Sequence, residues 1–476
     1  MEDRRAIMSE VEKHSSNRSC WVIIQGNVYD LTTFLDVHPG GAAIILKYAG
    51  KDATAVYEPL HPSDAITKHL TPESKLGPLV QTPALSAQEL VLKKVQPAAP
   101  LKKRFKLSAV VSIGDFERAA NQNLAPQALA FIQAGADDEA AKRWNERSWR
   151  TVRFRPRVLR PVNNIDLSTS ILGTRFSLPF FISPAGGGKL AHPQGEVLMT
   201  RAAARRNVLH WVCNMASCTQ EEIASSRGPD QSIFWQIYAK TDLTASEHEI
   251  KLAIQRGFKG FALTVDAIRA GNRERDVRHG IEEFEEVSEG TADNSDDFTT
   301  PDGGISAIRA PVYSSFDWDS AISWLRSQTD LPIAIKGIQC WEDAAMCMKY
   351  NVHPWLSNHG GRQLDGAPSS LETLLEIRKN CPEILSRCDV IVDGGFNRGS
   401  DIVKALALGA KAVGIGRPFL FALSFGEAGI SKAIGTFKKE IETTLALLGV
   451  ETIAQLDPTY VDASSLQYSQ ALRALL

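Results

Sequence analysis

The stretch Pro332-Ile333-Ala334-Ile335-Lys336-Gly337 is a short apolar run that ends on a charge. Such a run, bounded by turn formers, suits a strand covered on both faces, as in parallel sheets wrapped by helices. A lysine where that strand leaves its sheet needs a partner, because an unpaired buried charge is costly. The same pattern repeats along the chain. Apolar runs occur at Leu178 to Ser183, His210 to Cys213, Ile233 to Tyr238, Phe261 to Val265, Trp355 to Ser357, Val390 to Val392 and Ala412 to Ile415, with amphipathic stretches between them. With the first run they number about eight, the count that closes a parallel (β/α)8 barrel, the TIM barrel. Such barrels place their chemistry at the C-terminal ends of the strands. The polar residues there are Gln236, Tyr238, Asp266, Lys336, His359, Asp393 and Arg417. An open doubly wound sheet is the rival, but no run is followed by a Gly-x-Gly-x-x-Gly turn opening a helix.

Working outward, 476 residues are too many for one ordinary core and suggest a small domain beside a barrel of roughly 250 residues or more. The Pro/Ala/Lys-rich segment 80–106, with Gln96-Pro97-Ala98-Ala99-Pro100, reads as a linker between a domain over 1–79 and the barrel domain over 107–476. Glu282 to Asp302 is acidic and poor in apolar residues, which predicts an excursion over the barrel mouth, a lid or a solvated loop. A formal charge of −2 gives no reason to expect nucleic acid. The seven scattered cysteines lack Cys-x-x-Cys spacing and read as reduced core thiols. No apolar stretch reaches the ~18 residues of a membrane span. Met1-Glu2-Asp3-Arg4-Arg5 resembles neither a secretory signal nor a transit peptide, so a cytoplasmic location is the expectation.

In the first segment, Trp21 to Leu31 reads as two short strands around a Gly26-Asn27 turn. It is followed by His38-Pro39-Gly40-Gly41 and then by His61 in Glu58-Pro59-Leu60-His61-Pro62. Two histidines on either side of an apolar pocket can ligate one iron from opposite faces, and the glycines let the backbone approach a macrocycle. The segment from Cys20 to about Pro78 resembles the cytochrome b5 family, an α+β haem module, with His38 and His61 at the axial-ligand positions. That resemblance implies haem b and single-electron transfer, and it leaves His69 as a surface helix residue.

The densest constellation in the barrel is Leu356-Ser357-Asn358-His359-Gly360-Gly361-Arg362-Gln363-Leu364-Asp365. Oxidising a 2-hydroxy acid requires a base near the hydroxyl, a cation for the carboxylate and an electron acceptor beside Cα. His359 offers a base titrating near neutral pH, and Arg362 offers a planar fork for a carboxylate. The decapeptide resembles the active-site signature of the FMN-dependent 2-hydroxy-acid dehydrogenase and oxidase family, and the likeness runs from about Asp115 toward the C-terminus. It implies that Gln236 and Thr264 contact the flavin, that Tyr238 and Arg273 reach the substrate, and that Asp266 holds the imidazole of His359. It further implies that Lys336 faces the flavin N1/O2 edge, and that Asp393, Gly395, Arg398, Gly416 and Arg417 hold the ring edge and phosphate of FMN.

With a haem module in front, the architecture resembles the flavocytochrome branch of that family. The implied activity is oxidation of a lactate-like L-2-hydroxy acid, with electrons passing from FMN to haem b and on to an external acceptor such as cytochrome c. The branch also implies a homotetramer and, as an alternative location, the mitochondrial intermembrane space. Several positions depart from the family pattern. Phe131 replaces a substrate-binding tyrosine, Ala185-Gly186-Gly187-Gly188 replaces bulkier residues, Cys213 replaces a serine, and Asn397 replaces an arginine. These changes point to an enlarged pocket and a weaker grip on phosphate, and so keep open a larger hydroxy acid or a catalytically weakened electron carrier. Pro354, lacking an amide hydrogen, predicts irregularity in the sixth strand.

Overall fold

The computed structural model describes residues 6–38, 41–80, 105–279, 305 and 312–466. The acidic stretch Glu282 to Asp302, most of the linker, Pro39 and Gly40 lie outside the described residues.

The N-terminal part is a five-stranded sheet of β1 (Ala6–Ile7), β2 (Ser15–Ser16), β3 (Ser19–Ile24), β4 (Asn27–Asp30) and β5 (Lys75–Val80), in the order β1-β5-β4-β3-β2. The β3–β4 hairpin turns at Gln25 and Gly26, both left-handed (φ 52° and 72°), as a tight two-residue turn of this hand requires. Asn27 is already in the strand, so the turn falls one residue earlier than the sequence suggested. Short helices α1 (Ala42–Lys47), α2 (Thr54–Tyr57) and α3 (Ala65–His69) pack over the sheet around Val22, Ile24, Leu31 and Ile45. His69 is exposed at the end of α3.

The rest is a closed parallel barrel of eight strands: β6 (Phe180–Ile182), β7 (His210–Cys213), β8 (Ile233–Ile237), β9 (Phe261–Thr264), β10 (Ile333–Ile338), β11 (His353–Leu356), β12 (Ile391–Asp393) and β13 (Ala412–Ile415). Gly414 pairs with Phe181 to close the ring. Every apolar run of the sequence forms one of these strands. Alternation sorts their side chains: Phe180, Val212, Phe261 and Val413 face the helical coat, while Phe181, Trp211, Phe234 and Trp355 fill the barrel interior beside Ala262, Ala334 and Ala412. The Trp211 and Trp355 rings lie 4.6 Å apart, and Phe181 meets Trp355 edge-on at 5.1 Å. This aromatic floor closes the barrel below and leaves a cavity above it. Pro354 sits in β11 opposite Ile335, and the ladder shifts register between Lys336 and Ile338, the irregularity its missing amide predicts. All seven cysteines are free.

Before the barrel, α4 (Ala140–Thr151) lies across the loop that follows β12. Gly395 (φ 83°) is required there, since a Cβ would stand 2.3 Å from the backbone of Asn145. Trp211 is fully buried in the floor, and its replacement by alanine is expected to cost about 3 to 5 kcal/mol. Urea denaturation should show that loss as a lower midpoint with an unchanged slope.

Candidate active site

His359 follows β11 in a left-handed turn: its φ is 58°, and Gly360 and Gly361 continue at 66° and 73°. Three successive left-handed residues, two of them glycine, turn the imidazole back over the barrel mouth. Asn358 anchors the turn. Its side chain accepts from Gly361 N at 3.1 Å and exchanges two buried 2.8 Å bonds with Asn145 of α4. Gln363 donates to the carbonyls of Asp266 and Arg269 and accepts from Arg273, while Asp365 takes the first amides of α4, from Ala140 and Ala141. The polar side chains of the signature thus tie the sixth strand's loop to the rest of the mouth.

His359 Nδ1 lies 3.0 Å from Asp266 Oδ1, and Nε2 lies 3.2 Å from the Tyr238 hydroxyl. A carboxylate only accepts, so Nδ1 carries the hydrogen and Nε2 is the basic atom. Burial pulls the imidazole down to about 4, against the smaller upward pull of Asp266. This corrects the expectation of a base titrating near neutrality: the ring is neutral and ready to accept a proton across ordinary pH. Burial raises Asp266, but His359 and Lys336 outweigh it and hold the carboxyl below its usual range.

Arg362 is buried, and burial, then Arg273 and Arg417, push it well below its ordinary value. Its Nη1 donates to the carbonyls of Phe131, Ile132 and Ala134, and its guanidinium lies 5.1 Å from the Phe131 ring. Nε and Nη2 have no acceptor among the described residues. Arg362, Arg273, His359 and Tyr238 line one cavity of about 260 Å³. Three guanidiniums at one mouth make it a place for an anion.

Lys336 forms part of the same cavity, bonded to Ser357 Oγ at 3.0 Å and 3.7 Å from Asp393. Burial raises Asp393, which also accepts from Trp355 Nε1 at 3.0 Å. The loops after β12 and β13, Gly394 to Asn397 and Gly414 to Pro418, complete the far end. Buried Ser183 Oγ, Asp393 Oδ1 and Gln236 Oε1 have no partner among the described residues, and a Cβ on Gly416 would meet nothing within 4 Å. Unsatisfied polar atoms around a backbone-lined hollow fit a heterocycle with a phosphate tail, as FMN has.

Not every expected residue reaches this cavity. Gln236 and Thr264 bond to each other at 2.9 Å and are not among its lining residues. Arg398, expected at the phosphate, instead caps the following helix and pairs with Glu440 at 2.9 Å. Arg417 lines the cavity but donates to the carbonyls of Ile132, Ala134 and Gly360. The glycine run does not open the pocket: added Cβ atoms would meet Met215 O at 2.5 Å, Leu190 Cδ1 at 3.0 Å and the Glu196 carboxyl at 2.7 Å. Glu196 is a hub that sequence reading missed, accepting from the amides of Gly188, Ser217 and Cys218. Asn145, Lys142 and Glu146 were missed as well, because α4 precedes the barrel and carries no strand-end signal.

In the N-terminal domain the rings of His38 and His61 face each other, centres 6.3 Å apart. Each Nδ1 lies 3.0 Å from a backbone carbonyl, of Gly41 and Tyr57, which leaves each Nε2 with the lone pair. Two imidazole–metal bonds of about 2 Å, added to the distance from each ring centre to its nitrogen, span that separation. Burial lowers His61, favouring the neutral ligand form. Phe34, Ile45, Val56 and Ile66 are among the apolar walls of the surrounding cavity of about 440 Å³, which suits a haem. The barrel closes one side of it, and Leu60, Leu190, Met215 and Ile305 line both cavities.

Comparison with known proteins agrees with this geometry. Residues 120–463 match the FMN-dependent dehydrogenase family and residues 8–80 the cytochrome b5-like haem/steroid binding domain. The chain is 40% identical over 460 residues to an L-lactate dehydrogenase (cytochrome) of Wickerhamomyces anomalus, covering 96% of this chain and 79% of that protein. It is 37% identical to the protein of the same name from Saccharomyces cerevisiae, covering 98% and 81%. Among solved structures, a flavocytochrome b2 mutant with benzoylformate aligns at a TM-score of 0.69 and 34% identity, over 81% of this chain and 93% of that one. A mandelate oxidase aligns at 0.63 and 31%, over 74% and 98%. No helix among the described residues is long and apolar enough to cross a membrane. The chain therefore belongs to the FMN-dependent dehydrogenase family, joined to an N-terminal cytochrome b5-like domain, and its cofactors are FMN and haem b.

Proposed function

We propose that the protein oxidises a lactate-like L-2-hydroxy acid to the 2-oxo acid and delivers the electrons, through haem b, to an external acceptor such as cytochrome c. The observation that carries this reading is that His359 Nε2 and the open side of Arg362 share one cavity. Arg362 and Arg273 hold the carboxylate, and Tyr238 orients the hydroxyl side of the substrate. His359 then accepts a proton at Nε2, and Asp266 stabilises the resulting imidazolium through Nδ1. FMN supplies the two-electron acceptor and haem b the one-electron outlet. The relatives named as cytochrome-type L-lactate dehydrogenases support both the substrate class and the acceptor. The filled space beside Gly186, Gly187 and Gly188 favours a small hydroxy acid over a bulky one.

Anaerobic mixing with L-lactate should bleach the flavin and then reduce the haem; bleaching without haem reduction rejects the relay, and no bleaching with lactate or any other hydroxy acid of a panel rejects the reaction. His359→Gln should slow flavin reduction by about 10² to 10⁴-fold with flavin content unchanged. Asp266→Asn removes the group that raises His359, so the acid limb of the pH–rate profile for kcat/KM should move to lower pH as the rate falls. His61→Ala should abolish the haem absorption bands while leaving substrate-driven flavin bleaching intact.

A further inference from the structure

We infer that Lys142 is the side chain that binds the phosphate of the flavin nucleotide, an inference that rests on the FMN reading above. Lys142 stands in the first turn of α4, the helix whose Asn145 backbone packs on Gly395 and whose Trp149 Nε1 donates to Gly394 O at 3.3 Å. It lines the cavity together with the loops after β12 and β13, where backbone amides and open space await an anion.

The other cations at this end are committed. Arg417 gives Nε, Nη1 and Nη2 to backbone carbonyls, and Arg398 is paired with Glu440 outside the cavity. Lys142 is held differently. Its Nζ lies 2.9 Å from Glu139 Oε2, yet Glu139 also accepts from Arg275 Nε and Nη2, each at 2.9 Å, and from Gly135 N at 3.0 Å. The carboxylate therefore stays satisfied when the lysine leaves it. Burial draws Lys142 below its ordinary value and nearby Arg417 adds to the shift, so an incoming dianion relieves a crowded positive charge. A compact ammonium on a flexible stem can make that move, where a guanidinium fixed by three carbonyls cannot. Glu146, one turn along α4, brings the opposite charge to the same wall.

The test uses the full haem-loaded chain, stripped of flavin and titrated with FMN or with riboflavin, which lacks the phosphate, while flavin fluorescence is followed. Lys142→Met should weaken FMN binding roughly ten- to hundredfold and leave riboflavin unchanged, so riboflavin also reports that the site is folded. Glu146→Gln should strengthen FMN alone, and adding Asn397→Arg to Lys142→Met should restore part of the lost FMN affinity. Equal weakening of both flavins by Lys142→Met, or no effect on FMN, overturns the assignment. If neither flavin binds the unsubstituted chain, the FMN reading itself fails, a result distinct from the other two.

Discussion

The bond between His359 Nδ1 and Asp266 Oδ1 is the constraint around which the barrel mouth is organised. It fixes the tautomer, and with it the identity of the basic atom. It also offsets two opposing effects of burial, which disfavours both the charged imidazole and the charged carboxylate. The pair is tolerated because each partner favours the charged state the other needs during the reaction. The left-handed turn from His359 to Gly361 exists to deliver the ring to that bond, and Asn358, Gln363 and Asp365 hold the turn from three sides. Local backbone strain at this loop is thus supported by hydrogen bonds to α4 and to the loop after β9.

A second organising feature is the wall of Leu60, Leu190, Met215 and Ile305 between the two cavities. Leu60 directly precedes the axial ligand His61, so the haem domain contributes to the boundary of the flavin cavity. An apolar partition keeps the two sites dry and close together, as electron transfer between buried groups requires. It also lets each site keep its own electrostatics: cationic in the barrel, neutral imidazole in the haem cavity.

The barrel was legible because its signal is local: apolar runs of strand length, each ending in an unusual polar residue. The two histidines of the haem domain and the decapeptide were legible for the same reason, since their spacing in sequence is their spacing in the site. What was not legible depends on contacts between distant segments. Arg398 follows Asp-Gly-Gly and Asn397, but its direction is decided by Glu440 on a helix over 40 residues later. Gln236 and Thr264 sit at strand ends, yet strand alternation and their mutual hydrogen bond set them outside the cavity lining. Glu196 and Asn145 have no motif at all; they act through burial and through partners on other elements. The triple glycine was read as missing volume, whereas neighbouring backbone and side chains occupy that volume.

Phe131 shows how a departure from a family pattern can be absorbed without loss of the site. The backbone carbonyls of Phe131, Ile132 and Ala134 accept from Arg362, and those of Ile132 and Ala134 also accept from Arg417. Two cations therefore fix this segment regardless of the side chain at position 131. The phenyl ring then lies against Arg362, where it shields one face of the guanidinium from water and attracts it through the ring's negative face. A phenol at that position would add a donor for the substrate carboxylate, but it would not be needed to keep Arg362 in place. With Arg362 and Arg273 both on the cavity, the carboxylate retains charged partners, so the missing hydroxyl bears more on how tightly the acid is held than on whether it reaches His359.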